Sequence, residues 1–459
     1  MLRKPLAILM MVLMAGCDGI EPSTSIIARP STTVTPITTT TTTIPAALTP
    51  QEVFAAVSPT LAFVETDLGT GSGVLFDEWH LVTNAHVVWP YDEVRGVFPD
   101  GTELLDADVT HFDEVADLAI VDVSRAAPRL PEPATLGDPD GLEVGSELYL
   151  IGYPGEVEEY PQPTLTGGIL SRVRTLDALD LEFLQTDAVI AGGQSGGALV
   201  DGTGTVIGIS GLGSEGFALA TSAGDVLGRL TQMLAGRDVD GIVDRSFPGG
   251  STEDGYAGPI EHFFAQKVWV VDLLTGEELL VEATSVGDVA LSLIAIDGYL
   301  EGSADEDVSG TESLAAVASF DGPYFLTLDS YAPEPIDVEM TGNFPIRPLI
   351  DPDDETVVFP GDVVYGYADY PGDIDTYLID LTAGDRISVS VSAVLMDPQI
   401  IIDLEGNEDD FLAYDDNSGG GLFGTDAEVT FRADIDATYF LVVVDQYFGP
   451  GGYVMVIEP

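Results

Sequence analysis

Cysteine and positively charged residues are scarce in this chain of 459 residues. Cys17 is the only cysteine, so no intramolecular disulfide can form and the fold depends on its hydrophobic core. Lysine and arginine number 15 against 78 aspartates and glutamates, which gives a net charge of −63, although 45% of the residues are apolar. This combination is typical of a folded protein with an acidic surface, and it argues against nucleic acid and anionic lipid as direct partners.

The first 17 residues have the composition of a secretory signal. A positively charged start is followed by an apolar run at 6–14, too short to span a membrane, and then by small residues before a cleavage point. Cys17 directly follows Ala-Gly and resembles the lipobox of bacterial lipoproteins, with Met14 where leucine is usual. The resemblance implies a lipid on Cys17 and an extracytoplasmic location, at the cell surface or in the periplasm. An ordinary signal peptide with an incidental cysteine is the alternative.

The rest of the chain is predicted to be all-β. Residues 18–50 are rich in threonine and proline and predict an extended linker. Over 51–236, short apolar and β-branched runs alternate with glycine, proline and aspartate turns, which favours barrels or sandwiches. Helical patterns occur only at 50–57 and 223–235.

The region after a break at 247–258, rich in glycine, proline and serine, resembles itself in its two halves. Two copies of about the same length predict two β-sandwich modules, at 259–344 and 353–459. Any pair of sandwiches shares such apolar positions, so common ancestry of the two copies is an interpretation. The matching pairs are 271–277 with 379–385 and 324–329 with 439–445.

The segment around Ser195 carries the strongest chemical signal. Glycines at 193, 196 and 197 let a serine hydroxyl stand on a tight turn whose N–H groups can bind an oxyanion. A glycine-rich hairpin with no catalytic role would also fit residues 193–197. The flanking residues at 185–187 and 204–209 decide between the two, because with them the segment resembles trypsin-like serine proteases of the HtrA/Deg group.

This resemblance extends over about 52–232 and implies the remaining active-site residues. His86, within 81–88, matches the general base of the family, and Asp117, at the start of an apolar strand, matches the residue that orients it. The resemblance also implies an oxyanion hole made by the N–H groups of Gly193 and Ser195. It implies two six-stranded antiparallel β-barrels with the triad between them, and no required metal or other cofactor.

Other residues and regions depart from the family pattern or lie outside it. His80, His111 and His262 lack such a setting and are predicted to be surface or packing residues. Gln194 stands where the family has Asn or Asp, which puts the shape of the oxyanion loop in question. No PDZ-like loop follows residue 250, so the family's oligomeric cages and peptide sensing are not carried over.

The specificity pocket is weakly encoded. By alignment with the family, Val189 lies near its base, and Gly211 and Gly213 lie near its wall. An apolar base favours a small or medium aliphatic side chain before the scissile bond. Packing of Val189 in a barrel core is the alternative.

The two C-terminal modules resemble bacterial pre-peptidase C-terminal domains, and the second matches better than the first. Tyr377, Tyr439 and Tyr453 are predicted to lie in the sandwich core. Acidic loops could gather oxygen ligands for calcium, but a chain this acidic also produces such clusters by chance. The candidate ligands are Asp373, Asp375, Asp415, Asp416 and the loop 408–410.

The sequence therefore predicts a secreted, lipid-anchored serine endopeptidase that acts on proteins or peptides. Two alternatives remain open. One is a catalytically inactive binding or adhesion protein of the cell surface, and the other is a selective processing protease with few substrates. Neither the substrate nor the oligomeric state can be inferred from these motifs.

Overall fold

A computed structural model describes residues 47–459, except 156–160, 215, 237–250, 306–309, 333, 352–353, 405–406, 408–410 and 448. The predicted signal, Cys17, most of the linker and the loop 408–410 lie outside the described residues. In the part of the chain that is described, no helix has both the length and the apolar character needed to cross a membrane.

Six strands form a first closed barrel in the order β1-β2-β3-β6-β5-β4, with every pairing antiparallel. Helix α1 (Pro50–Val57) precedes it, and Thr49 and Glu52 form a capping box that satisfies the first backbone N–H groups. A one-turn helix, α2 (Ala85–Val88), follows β3. The strands are β1 (Leu61–Glu65), β2 (Thr70–Leu75), β3 (His80–Thr83), β4 (Glu93–Val97), β5 (Glu103–Asp113) and β6 (Leu118–Asp122).

Six further strands form a second closed barrel in the order β10-β11-β12-β9-β8-β7, again antiparallel throughout. Helix α3 (Ala223–Leu234) follows it and buries Val226, Leu230 and Met233 on one face. The strands are β7 (Glu147–Gly152), β8 (Thr164–Leu176), β9 (Leu181–Thr186), β10 (Ala198–Asp201), β11 (Val206–Ser214) and β12 (Phe217–Ser222). The prediction of a double six-stranded barrel is confirmed.

Strand β1 is apolar on both faces because each face meets a different core. Ala62 and Val64 of β1 pack within the first barrel, in a cluster made only of first-barrel residues. Leu61 and Phe63 point to the opposite face and share a second cluster with Tyr149 of β7. The two barrels are therefore packed directly against each other, and the loops at their junction are held by a common core.

Two further groups of strands follow, and their pairings repeat one another. Strands β13 to β20 pair as β13-β20, β14-β19, β15-β18, β15-β20, β16-β17 and β16-β19. Strands β22 to β29 pair in the same way: adding nine to each strand number in the first group gives the pairs of the second group. This strand-by-strand match is the structural counterpart of the sequence repeat.

The modules differ at one sheet edge. In the first module β20 continues past its own sheet and pairs with β14, so the sheets join through it. In the second module the short strand β21 lies parallel to β23 at that edge. The strands of the first module are β13 (Glu253–Ile260), β14 (Gln266–Leu273), β15 (Glu278–Ser285), β16 (Val289–Ala295), β17 (Leu300–Ala304), β18 (Gly310–Val317), β19 (Gly322–Ser330) and β20 (Ile336–Leu349). Those of the second are β21 (Thr356–Val357), β22 (Val363–Ala368), β23 (Ile374–Leu381), β24 (Arg386–Ala393), β25 (Pro398–Leu404), β26 (Ala413–Asp415), β27 (Ala427–Arg432), β28 (Ala437–Asp445) and β29 (Gly451–Glu458).

Each module has its own apolar core. Tyr377, Tyr439 and Tyr453 are fully buried in the second, as predicted. The Tyr377 and Tyr453 hydroxyls lie 2.7 Å apart, and Tyr453 donates to Asp375 Oδ2 at 2.5 Å, so the buried hydroxyls are paired.

Candidate active site

Ser195 stands on a turn that only glycines can form. Gly193 and Gly196 have φ angles of +86° and +80°, in the left-handed region that glycine tolerates. A Cβ at Gly196 would lie 1.9 Å from the carbonyl oxygen of Ser72, and one at Gly193 would lie 2.5 Å from the Gly155 nitrogen. The Ser72 N–H donates to the Ser195 carbonyl at 2.7 Å, which ties the turn to β2 of the first barrel.

The side chain of Gln194 closes the loop that leads into this turn. It is buried, and its Oε1 accepts the Ala191 N–H at 2.7 Å while its Nε2 donates to Thr164 Oγ1 at 3.1 Å. The Gly155 N–H donates to the Gly192 carbonyl at 2.6 Å. The departure at position 194 thus leaves a firmly held loop, because the longer amide reaches both partners.

The N–H groups of Gly193 and Ser195 are available to a ligand. Within the described residues, neither of them donates a hydrogen bond, although their neighbours Gln194, Gly196 and Gly197 all do. Two N–H groups two residues apart on a glycine turn are the donors that an oxyanion requires.

His86 and Asp117 form a hydrogen-bonded pair. His86 Nδ1 lies 2.8 Å from Asp117 Oδ2, and the His86 backbone N–H donates to Oδ1 at 3.0 Å. Asn84 Nδ2 donates to the Asp117 carbonyl at 2.8 Å. Asp117 is buried and has a φ of +55°, a strained conformation for a non-glycine residue. One carboxylate therefore fixes both the ring and the main chain of His86.

The electrostatics of the pair favour a basic imidazole. Burial lowers the pKa of His86, but the charge of Asp117 and its hydrogen bond raise it, and the net shift is upward. Asp117 donates no proton when ionised, so Nδ1 carries the hydrogen and Nε2 faces away from the carboxylate as the acceptor.

Ser195 and His86 line one cavity of about 540 Å³. The Ser195 hydroxyl donates to the carbonyl oxygen of Gly211 at 3.3 Å rather than to His86. A rotation about the Cα–Cβ bond redirects this hydroxyl, and such contacts are commonly long in ligand-free sites. The structure thus brings His86 and Asp117 into direct contact and places Ser195 in the same cavity.

Residues 71–209 match the family described as trypsin-like peptidase domain. The chain therefore contains a trypsin-like peptidase domain, and over this part it is similar to proteases of the HtrA type. It is 34% identical over 194 residues to serine protease Do-like HtrB of Bacillus subtilis, covering 39% of this chain and 40% of that protein. It is 35% identical over 158 residues to protease Do-like 1, chloroplastic, of Arabidopsis thaliana, covering 33% of this chain and 35% of that protein.

The HtrA-type protease AlgW with tripeptide is 32% identical, with 41% of this chain and 64% of that chain covered and a TM-score of 0.36. The chain spans about two fifths of the length of the curated relatives named above.

A buried ion pair supports the turn that carries Asp117 in the peptidase domain. Arg229 Nη1 of α3 lies 2.5 Å from Asp113 Oδ2, and Asp113 Oδ1 accepts the Ala116 N–H at 3.0 Å. Burial raises the pKa of Asp113 more than Arg229 lowers it, and the charge of Asp117 adds to the rise. This pair was not predicted from the sequence. The signal in the sequence is Arg229 itself, a cation that lies one turn after Val226 on the apolar face of α3.

Of the residues predicted for the specificity pocket, only Gly211 has a described contact with Ser195. Val189 is 69% exposed, so the alternative that it packs in a barrel core is wrong. A Cβ at Gly213 would lie 2.4 Å from Ile190, which places β11 against the segment that holds Val189. The carbonyl of Gly211 contacts the Ser195 hydroxyl. Their role in substrate selection stays a prediction.

The histidines outside the site have structural partners. His80 Nδ1 lies 2.8 Å from Asp77 Oδ2, and the His262 ring packs on Phe440 with the centroids 4.7 Å apart. His111 lies on β5 with its Nδ1 2.9 Å from Thr110 Oγ1. None of the three lines the cavity at Ser195.

The four aspartates predicted as calcium ligands are not brought together. Carboxylate oxygens of Asp373 and Asp375 lie within 4.8 Å of one another and of one in Asp351, a residue that was not among the predicted ligands. Asp415 is not part of this cluster of described residues, and its Oδ2 accepts the N–H groups of Ser418 and Glu428. Asp416 is likewise not part of the cluster found among the described residues.

The cluster of Asp351, Asp373 and Asp375 offers carboxylate oxygens, the ligand type that calcium prefers, but it offers few of them. Three carboxylates supply fewer than the usual six to eight oxygens. Asp375 also accepts the Tyr453 hydroxyl. Burial and the charges of Asp351 and Asp369 raise the pKa of Asp373 well above its usual range. Calcium binding by the second module stays a prediction.

Proposed function

We propose that the chain is a serine endopeptidase that hydrolyses peptide bonds in protein substrates through Ser195, His86 and Asp117. The observation that carries the proposal is the His86–Asp117 pair, whose imidazole lines the same cavity as a serine on a glycine turn with two N–H donors that are free among the described residues. In this assignment His86 Nε2 takes the proton of Ser195 Oγ as the oxygen attacks the peptide carbonyl.

The remaining steps follow from the same geometry. The N–H groups of Gly193 and Ser195 bind the oxyanion of the tetrahedral intermediate, while Asp117 stabilises the imidazolium. His86 then gives the proton to the leaving amine, which departs and leaves an acyl group on Ser195. Water, activated by the same imidazole, releases the acyl group and restores the enzyme.

The proposal is tested by labelling with a fluorophosphonate, which reacts with activated serines. We expect an adduct on Ser195 in the wild type, located by mass spectrometry, and no adduct in Ser195→Ala. A matched variant, Ser390→Ala on β24, should label like the wild type because it lies in a module and not in the cavity. Turnover of unfolded casein should disappear together with the label.

The alternative function, an inactive binding or adhesion protein, has one observation in its favour. The Ser195 hydroxyl donates to Gly211 and not to His86. Folded protein that neither labels nor cleaves casein would support that alternative and contradict the proposed peptidase.

We further propose that the enzyme is exported and anchored outside the cytoplasm by a lipid on Cys17. The support is the sequence alone: the charged start, the short apolar run and Ala-Gly before the single cysteine. The wild type should take up a labelled fatty acid in a bacterial host and partition into detergent. Cys17→Ser should do neither, and equal partitioning of the two proteins would contradict the anchor.

A further inference from the structure

The C-terminal modules form part of the wall of the cavity beside Ser195. The peptidase domain supplies His86, Trp89 and Leu68 to this wall. The turn after β16 adds Ile296 and Asp297, and the second module adds residues from two loops. Those residues are Leu395, Pro450 and Gly451. Three parts of the chain that are far apart in sequence therefore meet at the nucleophile.

Close packing fixes the second module at this position. A Cβ at Gly452 would lie 2.8 Å from the Cα of Val115, so the start of β29 touches the turn that carries Asp117. Val115 shares an apolar cluster with Tyr367 and Val394 of the same module. Close packing of this kind fixes the position of the second module against the peptidase domain.

The first module is fixed in a similar way. Trp89, which follows α2, packs on a cluster that joins Ile296 and Phe325 of the first module to Tyr370 of the second. A Cβ at Gly372 would lie 2.7 Å from Ile294, so the two modules also contact each other beside the cleft.

The cavity lies on the side of the leaving group. His86 must protonate the departing amine, so the substrate chain that follows the scissile bond runs past the imidazole. The cavity is lined by His86 and by Val87 and Trp89, which follow it. Gly211 and Gly213, on the predicted acyl side, do not line it.

The lining combines apolar walls with carboxylates. Leu68, Trp89 and Leu395 provide apolar surface, while Glu114 and Asp297 add negative charge, and no lysine or arginine occurs among the described lining residues. Asp297 is exposed and lies on the tight turn that links β16 to β17. A long apolar stem that ends in a cation matches this surface along its whole length.

We propose that the two modules complete a binding site for the residue that follows the scissile bond, and that this site selects lysine or arginine. The inference rests on the proposed peptidase function and names a substrate class for it. The stem contacts Trp89 and Leu395, and the positive end faces Asp297. The acidic lining disfavours aspartate and glutamate at the same position.

The test uses quenched fluorescent peptides built on a cleavage site mapped in casein. Three peptides differ only in the residue after the cut: lysine, norleucine, which has a similar stem without the charge, and glutamate. We expect kcat/KM to fall in that order, with lysine about threefold above norleucine, because an exposed ion pair contributes at most about 1 kcal/mol. Asp297→Asn should bring lysine close to norleucine, whereas Asp337→Asn, exposed on β20 and outside the lining, should preserve the ratio.

A second variant separates the wall from the charge. Leu395→Ala should lower kcat/KM for the lysine and the norleucine peptide alike. The fluorophosphonate should still label Ser195, because it carries no amino-acid residue that would occupy the site after the scissile bond. Equal hydrolysis of the three peptides by a labelled wild type, or an unchanged ratio in Asp297→Asn, would overturn the inference and leave the peptidase intact. A wild type that does not label overturns both.

Discussion

Asp117→Asn is expected to lower kcat by about 10⁴-fold at neutral pH while the protein stays folded. Asp117 accepts hydrogen bonds from both Nδ1 and the main-chain N–H of His86. An asparagine amide that donates to Nδ1 leaves the hydrogen on Nε2, which then cannot take the proton of Ser195. The measurement is casein or peptide turnover, with circular dichroism to verify the fold.

The pH profile separates this effect from a structural one. In the wild type kcat/KM should fall as the pH drops through the pKa of His86, since the protonated ring cannot act as a base. Asp117 raises that pKa, whereas burial lowers it. In Asp117→Asn the raising charge is lost, so the acid limb should move to lower pH. A limb that does not move would contradict the assignment of Asp117.

Asp122→Asn is the matched control for this substitution. Asp122 ends β6, the strand that begins next to Asp117, and its Oδ1 accepts the Ser124 N–H at 2.7 Å. It makes no contact with His86, and an asparagine oxygen can keep the same hydrogen bond. We expect turnover within about twofold of the wild type, because surface changes away from a site have small effects.

The candidate active site could be predicted from the sequence because short contiguous segments encode it. The glycines around Ser195 are required by φ angles and by the approach of Ser72, which are local demands on the chain. The run predicted at 80–83 is β3, and that at 118–123 contains β6. Both strands are buried on both faces, between a barrel interior and the barrel interface, so they are continuous apolar runs in the sequence.

The rest depends on contacts between distant segments, which leave no local pattern. Ile296 and Leu395 reach the cavity at Ser195 only because the modules pack on Trp89 and Val115. Asp351 joins Asp373 and Asp375 across the fold. In a chain with 78 acidic residues, nothing in the neighbouring sequence distinguishes such a carboxylate from a solvated one.

Arg229→Met is expected to destabilise the peptidase domain by about 3–5 kcal/mol at pH 7. The Arg229 side chain is 11% exposed and that of Asp113 is fully buried, so the substitution leaves an uncompensated charge in the interior. Burial already raises the pKa of Asp113, and loss of Arg229 removes the main opposing effect. Because the folded-state pKa then lies above the unfolded one, the loss should shrink as the pH falls towards the unfolded value. Urea unfolding, followed by the capacity to label Ser195, measures the change.

Two further variants make the cause of this loss testable. Asp113→Asn combined with Arg229→Met should recover most of the stability, since no charge is left unpaired and the amide oxygen can still accept the Ala116 N–H. Arg125→Met removes a pair with Asp108 of similar length, 2.9 Å, in which both side chains are about half exposed, and should cost at most about 1 kcal/mol. If Arg229→Met and Arg125→Met proved equally mild, the pair at Asp113 would not support the Asp117 turn. If the double variant stayed as unstable as Arg229→Met alone, lost packing of the arginine stem would explain the effect instead of the buried charge.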